Sequence, residues 1–195
     1  MLKTTSVLMD EYRSYTDSAG KIKRLADKGI IIPVVRGLYE TDKNTPGEYL
    51  AAAIYGPSYL SFEFMLSRYS LIPEAVYTFT SAAFEKKKSK IYHTFFGTYT
   101  YRDVPSDAYP LDVILKTEAG YSMAVASPEK AVCDLLYTIS PCRNQKEFSF
   151  LLFEDLRIDE NEFRKLDMQK LREISGYYHT KNHHLLISMI NRRYL

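Results

Sequence analysis

The pattern of apolar and polar residues between Asp17 and Glu40 predicts a helix followed at once by a two-stranded hairpin. Asp17 or Ser18 can accept hydrogen bonds from the first free N–H groups of a helix, and Gly29 can adopt the left-handed conformation that ends one. At 100° per residue, this helix has an apolar side beside a narrow cationic stripe. The apolar side consists of Ala19, Ile22, Leu25 and Ala26, and the stripe consists of Lys21, Arg24 and Lys28.

The residues after Gly29 are typical of a short β-ribbon. Ile30 to Val35 is rich in β-branched residues, and Leu38 to Glu40 is the returning strand. Between them, Arg36 and Gly37 form a turn in which the glycine can take a positive φ. A helix followed by such a ribbon predicts a winged helix-turn-helix.

Residues 4–12 complete this unit as a first short helix, and residues 13–17 form the turn between the two helices. Its predicted cap is Thr4, Thr5 or Ser6, and its inward-facing residues are Val7, Leu8 and Tyr12. A polar segment with Pro46 and Gly47 follows Glu40 and indicates a domain boundary. We therefore assign residues 1–42 to the winged helix-turn-helix and residues 46–195 to a second, larger domain.

The larger domain begins with helices and then changes to a period of two. Thr45, Pro46 and Glu48 predict a capping box, and helical spacing continues from Tyr49 to Tyr55 and from Ser61 to about Leu71. The predicted strands cover residues 76–80, 91–101, 111–116 and 121–125, in a mostly antiparallel sheet. Further helices are predicted from Ser127 and, from about residue 145, in a helical tail over residues 148–153, 160–166, 168–175 and 179–193. The predicted fold class is α+β.

Charge is concentrated rather than spread along the chain. The formal net charge of the 195 residues is only +2. Lys and Arg outnumber Asp and Glu by 5 to 2 in residues 20–40, whereas the ratio is 7 to 8 in residues 46–126. Two widely spaced cysteines, no secretion signal and no long apolar run predict a reduced, cytoplasmic protein that does not enter membranes.

The sequence contains no signature of the common catalytic motifs, so we expect no enzymatic activity and no cofactor. His179 and His183 have an i, i+4 spacing but no further ligand, which argues against a metal site. Cys133 with His93 is a conceivable nucleophile and base, but Cys133 lies on the apolar side of a helix and is assigned to the core. Glu129 and Asp134 on the same helix are assigned to capping and salt bridging rather than to an acid/base pair.

The basic stripe has two interpretations, which the sequence leaves open. A DNA-binding helix fits one major groove, where flanking cations reach the phosphates, and Arg36 at the hairpin tip would contact a phosphate or the minor groove. The other interpretation is an ordinary solvated helix face. The run Lys86, Lys87, Lys88 and Lys90 is likewise either a solvated loop or a second electrostatic contact.

Four pieces of the chain, in this order, resemble the AbiEi family of bacterial antitoxins, the regulatory half of type IV toxin–antitoxin operons. They are KIKRLADKG with VVRGLY, then YGPSYLSFEFMLSRYSLIPE, then FTSA, and finally ASPEKAVCDLLY, and they cover residues 21 to about 137. The resemblance implies a winged-helix DNA-binding domain followed by an α/β antitoxin domain. It implies further that the protein represses its own operon and counteracts a nucleotidyltransferase-type toxin.

The family's DNA-contacting residues fall on Lys21, Lys23, Arg24, Lys28 and Arg36 of this chain. The type IV label implies that no stable complex with the toxin forms. Because one short recognition helix makes few base contacts, we expect two copies on an inverted repeat upstream of the operon, as a homodimer on DNA. The alternative is a protein-interaction module that neutralises a toxin by direct contact and binds DNA weakly and without sequence preference.

Overall fold

The computed structural model describes residues 1–194, and its fold is α+β. The helices are α1 Thr5–Glu11, α2 Ser18–Asp27, α3 Ala51–Ile54, α4 Phe62–Arg68, α5 Pro128–Tyr137, α6 Gln145–Phe150, α7 Glu160–Arg164, α8 Met168–Ser175 and α9 Lys181–Arg193. A 3-10 turn at Gly47–Leu50 precedes α3, and a π-helical turn at Leu151–Asp155 continues α6. The predicted fold class and the helical C-terminal part are therefore confirmed.

The strands form two separate sheets. They are β1 Leu2–Thr4, β2 Ile32–Val35, β3 Leu38–Glu40, β4 Ser58–Leu60, β5 Phe79–Ala83, β6 Lys90–Thr94, β7 Gly97–Asp103, β8 Val113–Glu118 and β9 Tyr121–Ala126. The first sheet has the order β1-β3-β2 and is antiparallel throughout. The second has the order β6-β7-β5-β4-β9-β8.

The small sheet carries α1 and α2 on one of its faces. Leu8 of α1, Ile22 and Leu25 of α2, and Ile31 form a small buried core between the helices and the strands. Val7 was predicted to face inward, which is wrong, because 47% of it is exposed while its neighbour Leu8 is fully buried. In a helix of seven residues, only one position faces the sheet squarely.

The other face of the small sheet packs against the rest of the chain. Val34 belongs to the large hydrophobic core, and Leu38 packs against that core. Glu40 is fully buried at the same contact, where the Tyr121 hydroxyl donates a hydrogen bond to its Oε2 at 2.8 Å. The N–H groups of Thr41 and Asp42 donate to its Oε1. A buried carboxylate with these donors ties the hairpin to the turn that joins β8 and β9.

The large sheet is mixed rather than mostly antiparallel. Antiparallel pairing joins β6 to β7, β5 to β4 and β9 to β8, whereas β5–β7 and β4–β9 are parallel. The two parallel pairs join strands that are distant in the chain. Hydrophobic alternation gives the faces of a strand but carries no information about the direction of its partner.

Several local predictions differ from the structure. The strand predicted over residues 91–101 is two strands, because Phe95 and Phe96 form a turn before Gly97, whose φ is +130°. The short strands β1 and β4 were missed. The capping box predicted at Thr45 does not form: its hydroxyl lies 3.4 Å from the Tyr121 hydroxyl, and the 3-10 turn has no side-chain cap.

Helices cover the large sheet and complete its core. Tyr99 and Tyr101 of β7 are buried, and their hydroxyl groups donate to the carbonyl oxygens of Gly47 (2.9 Å) and Ala51 (2.7 Å). These bonds hold the 3-10 turn and α3 against one part of the sheet. Elsewhere α5 packs against α4, α8, α9 and β9. Among residues 1–194, no helix combines the length and the apolar character needed to cross a membrane.

Candidate nucleic-acid interface

The helix α2 begins and ends as its sequence predicts. The Asp17 side chain accepts a hydrogen bond from the Gly20 N–H at 2.7 Å, a cap that stabilises a helix by about 1 kcal/mol. At the other end Gly29 has a φ of +66°, and the N–H groups of Gly29 and Ile30 donate to the carbonyls of Ala26 and Leu25. This C-terminal motif turns the chain directly into the hairpin.

The hairpin tip is held close to the first helix. Gly37 has a φ of +85°, and its carbonyl oxygen accepts a hydrogen bond from the Thr5 N–H at 2.9 Å. A side chain at position 37 would be strained at this φ, so glycine is required here. The bond fixes Arg36 relative to α1 and α2 instead of leaving it on a free loop.

Two of the five predicted DNA-contacting residues, Lys21 and Arg24, have a side-chain partner within the chain, and Lys28 lies at a helix end. The Lys21 Nζ lies 5.0 Å from the centre of the Tyr15 ring, a cation–π contact. The Arg24 guanidinium is 3.8 Å from the Asp17 carboxylate, with both groups largely exposed. Lys28 is the exposed residue at the C-cap of α2, where a positive charge favours the helix dipole.

Lys23 and Arg36 differ from these three in the surface that they line. Both are exposed, and within the described chain neither side chain makes a hydrogen bond or an ion pair. They line one groove of about 370 Å³, which lies between α1, α2 and the hairpin and which we call the α2–hairpin groove. Its other lining residues are mostly apolar and are Thr5, Met9, Ala19, Ile22, Ala26, Pro33, Val35, Gly37 and Tyr39.

The four lysines of the β5–β6 connection and the start of β6 do not line this groove. The Lys86 Nζ lies 5.2 Å from the centre of the Tyr55 ring, and the Lys87 N–H is bonded to the Asp103 carboxylate. Lys88 is exposed in the same loop, and Lys90 is the first residue of β6. The loop is thus held by the backbone hydrogen bond of Lys87 and by the contact of Lys86 with the Tyr55 ring, while most of its lysine side chains face solvent.

A buried polar network in the larger part of the chain was missed by sequence reasoning. Lys130 and Asp134 lie one turn apart on α5, both are fully buried, and Lys130 Nζ is 3.2 Å from Asp134 Oδ1. Lys130 Nζ also donates to the Ala108 carbonyl (2.6 Å) and to the Tyr178 hydroxyl (2.5 Å). Salt bridging was the role predicted for Asp134, but its burial was not expected.

The carboxylate of Asp134 is fully hydrogen-bonded. The Tyr178 hydroxyl donates to its Oδ1 at 2.5 Å, and the hydroxyls of Tyr59 and Ser61 donate to its Oδ2 at 3.0 and 2.6 Å. Burial and the Asp134 charge raise the pKa of Tyr59 and of Tyr178 well above the usual value. With solvent excluded and every acceptor used, the network is a structural tie between β4, α5 and the turn before α9.

The remaining candidate groups lie in structural environments. Burial raises the pKa of the Cys133 thiol to about 12, and its Sγ is 3.4 Å from Ser175 Oγ, so its assignment to the core is confirmed. His93 is exposed on β6 beside Thr98. His183 is buried, and its Nε2 donates to the Cys133 carbonyl at 3.0 Å. Nowhere in residues 1–194 are three His, Cys, Asp or Glu side chains grouped as a metal site requires.

The signal for the buried network was present in the sequence. In α5 the apolar positions were read as one face, yet eight of its ten residues are buried, from Glu129 to Leu136. A helix buried nearly all round must pair its charges internally, and Lys130 and Asp134 have the i, i+4 spacing to do so.

Comparison with known proteins was uninformative: the chain matches no family model, and no curated protein is similar to it. The resemblance of residues 21 to about 137 to the AbiEi antitoxins therefore depends on the four sequence pieces quoted above.

Proposed function

We propose that this protein is a DNA-binding antitoxin that represses its own operon, with α2 as the recognition helix and the β2–β3 hairpin as the wing of a winged helix-turn-helix. The observation that carries the proposal is the α2–hairpin groove, because Lys23 and Arg36 both line it and neither has a side-chain partner within the described residues. Charges left unpaired on one concave surface favour an anionic ligand.

A DNA backbone would supply the anionic groups that Lys23 and Arg36 can contact. Phosphates flank the major groove on both sides, so a helix placed in the groove has a backbone strand beside it. Lys23 on the helix and Arg36 on the hairpin would then contact phosphates of that strand. Lys28, Lys21 and Arg24 would contribute to the positive field around α2, but none of the three lines the groove. We therefore rank Lys23 and Arg36 first among the five residues.

The resemblance to the AbiEi family supports the remaining parts of the proposal. The operator is an inverted repeat bound by two copies, and the larger domain counteracts a nucleotidyltransferase-type toxin without forming a stable complex with it. The protein has no catalytic activity and no cofactor of its own and acts in the cytoplasm. The loop with Lys86, Lys87, Lys88 and Lys90 is a second electrostatic contact for the same DNA.

Replacement of both Lys23 and Arg36 by alanine is expected to weaken operator binding by at least about tenfold and to lower the salt slope by about 2, one for each lost phosphate contact. The measurement is fluorescence anisotropy with a labelled duplex from the upstream region and a shuffled duplex, each at several salt concentrations. The matched control is the Arg143→Ala/Lys146→Ala variant, which loses the same charge from exposed positions at α6.

Equal losses in the two variants would mean that binding follows net charge alone, and the proposed interface would be wrong. Equal affinity of the wild type for the two duplexes would contradict the proposal that the protein represses its operon through a specific sequence. A wild type that prefers its own duplex by about a hundredfold or more agrees with specific recognition.

The second candidate function is a protein-interaction module, and the apolar lining of the α2–hairpin groove favours it. Met9 is 41% exposed at this groove, beside Pro33, Val35 and Tyr39. Such a surface can also accept an amphipathic segment of another protein. This function predicts a stable complex that co-purifies with the toxin, together with weak DNA binding that does not depend on sequence.

A further inference from the structure

The strand β8 forms an unprotected edge of the large sheet. The opposite edge strand, β6, is approached by β2 of the small sheet. By contrast, β8 pairs only with β9 among residues 1–194, and its outer side has no strand beside it. A free edge presents unpaired N–H and C=O groups that can pair with another strand.

The hydrogen-bonding direction alternates along β8. The turn Ala119-Gly120 has positive φ at both residues (49° and 80°), which identifies a two-residue hairpin closed by the Glu118–Tyr121 pair. The backbone groups of the even-numbered residues therefore bond to β9. The Ser127 N–H, which donates to the Asp112 carbonyl at 3.1 Å, agrees with this assignment. The backbone groups of Val113, Leu115 and Thr117 point away from β9.

One side-chain contact agrees with this alternation. The hydroxyl groups of Thr117 and Ser122, which face each other across β8 and β9, lie 3.3 Å apart. Side chains approach more closely in the non-hydrogen-bonded pairs of an antiparallel ladder. Thr117 and Ser122 therefore form such a pair, and the N–H and C=O of Thr117 lie on the free edge.

The usual devices that block an edge are largely missing from β8. The strand has no proline, and its six residues pair with β9 without a bulge. Leu115 is 80% exposed and Ile114 is 41% exposed. Lys116 is the only positive charge on the strand, and Glu118 at its end balances it. Natural edges are commonly shorter, bulged or interrupted by proline.

We propose that β8 pairs with β8 of a second copy of this chain, antiparallel and about a two-fold axis at Leu115. The outward-pointing backbone groups of all three residues then have partners. Val113 lies opposite Thr117 of the second copy, and Leu115 lies opposite Leu115 of the second copy. Valine and threonine have the same shape, so the outward row is nearly palindromic. The pairing adds about six backbone hydrogen bonds, two for each of three hydrogen-bonded pairs.

The charges of the strand also favour this register. With the axis at Leu115, each Lys116 lies opposite Ile114 of the second copy, where its aliphatic stem can pack. A shift of the axis by one residue, to Lys116, would place the two Lys116 side chains directly opposite each other, which is destabilising. The result is a continuous sheet of twelve strands that carries two small sheets with their α2–hairpin grooves.

We expect this dimer to be weak and reversible, since pairing along one strand covers less than the roughly 1,600 Å² of a standard interface. The inference goes beyond the proposed function and is tested without DNA. If the protein does bind an inverted repeat, two adjacent half-sites would raise the effective concentration of the two copies and favour the same pairing.

Sedimentation velocity over a wide concentration range is the first test. We expect the wild type to shift reversibly from monomer to dimer as its concentration rises. Thr117→Pro removes one outward N–H and is expected to remain monomeric, whereas Thr117→Val keeps the N–H and the shape and is expected to dimerise as the wild type does. A monomeric wild type at every concentration, or equal dimerisation of Thr117→Pro, would overturn the proposal.

Disulfide trapping tests the register and does not depend on how proline is tolerated. Leu115→Cys is expected to form an interchain disulfide on mild oxidation, because hydrogen-bonded cross-strand Cα atoms lie about 5.5 Å apart, within disulfide range. Thr117→Cys is the matched control and should form no interchain disulfide, since the two introduced cysteines would be four positions out of register. The native Cys133 and Cys142 are buried and free. Crosslinking of Thr117→Cys instead of Leu115→Cys would overturn the assigned axis.

Discussion

Replacement of Asp134 by alanine is expected to lower the free energy of unfolding by about 3–5 kcal/mol, because it leaves the Lys130 ammonium buried without its counter-charge. Both side chains are fully buried, and their separation is 3.2 Å. The hydroxyls of Tyr59 and Ser61 lose their acceptor at the same time. Urea denaturation, followed by circular dichroism, measures the change as a lower midpoint with an unchanged slope.

Two further variants identify the source of the loss. Glu173→Ala on α8 removes an exposed carboxylate without a side-chain partner in the described chain and should change stability by less than about 0.5 kcal/mol. In the double variant Lys130→Met/Asp134→Ala no buried charge is left unpaired, so its loss should be smaller than the sum of the two single losses. If Asp134→Ala cost no more than Glu173→Ala, the network would not stabilise the fold.

The network is expected to contribute this much to the free energy of unfolding because it joins distant parts of the chain. Tyr59 lies on β4, Asp134 on α5 and Tyr178 in the turn between α8 and α9, and all three meet at one carboxylate. The FTSA and SPEKAVCDLLY pieces that support the family resemblance lie in β5 and α5, and β5 pairs with β4. These parts of the sequence therefore belong to the framework around the large sheet.

Local structure near the N-terminus could be predicted from the sequence because its signals are local. The cap at Asp17, the left-handed Gly29 and the turn at Arg36-Gly37 each depend on the conformation of one or two residues. The same reasoning fails for the large sheet. Parallel pairing of β4 with β9 and of β5 with β7 is decided by contacts between distant segments, and β4 has only three residues.

The candidate interface could be predicted in composition but not in detail. Helical spacing and the hairpin tip selected four cations and the family resemblance added Lys23, yet their environments differ once the chain is folded. Lys21 makes a cation–π contact with Tyr15, and Arg24 pairs with Asp17. Lys23 of α2 and Arg36 of the hairpin both line one groove. Helical spacing gives the direction of a side chain but does not identify what lies beside it, so this selection required the structure.

A fall in pH from 7 to 4 is expected to destabilise the protein by about 3 kcal/mol through His183 alone. Burial is the main cause that lowers the pKa of His183 to about 4; the charges of Lys130 and His184 add to it, while the hydrogen bond to Cys133 opposes it. Thr180 Oγ1, 2.7 Å from Nδ1, donates to the neutral ring. Between pH 6.5 and 4 the unfolded chain binds a proton that the folded protein does not, so unfolding is favoured as pH falls.

Urea denaturation at a series of pH values, with two matched variants, separates His183 from the other titrating groups. His183→Gln should be less stable than the wild type at pH 7, but its stability should fall less steeply between pH 6.5 and 4. His184→Asn removes the exposed neighbour, which is the smallest of the causes that lower the pKa of His183, and should change the pH dependence less than His183→Gln does. Parallel curves for the wild type and His183→Gln would show that His183 titrates normally in the folded protein. A flatter curve for His183→Gln alone would locate the acid sensitivity in the contact between α9 and α5, beside the Lys130–Asp134 network.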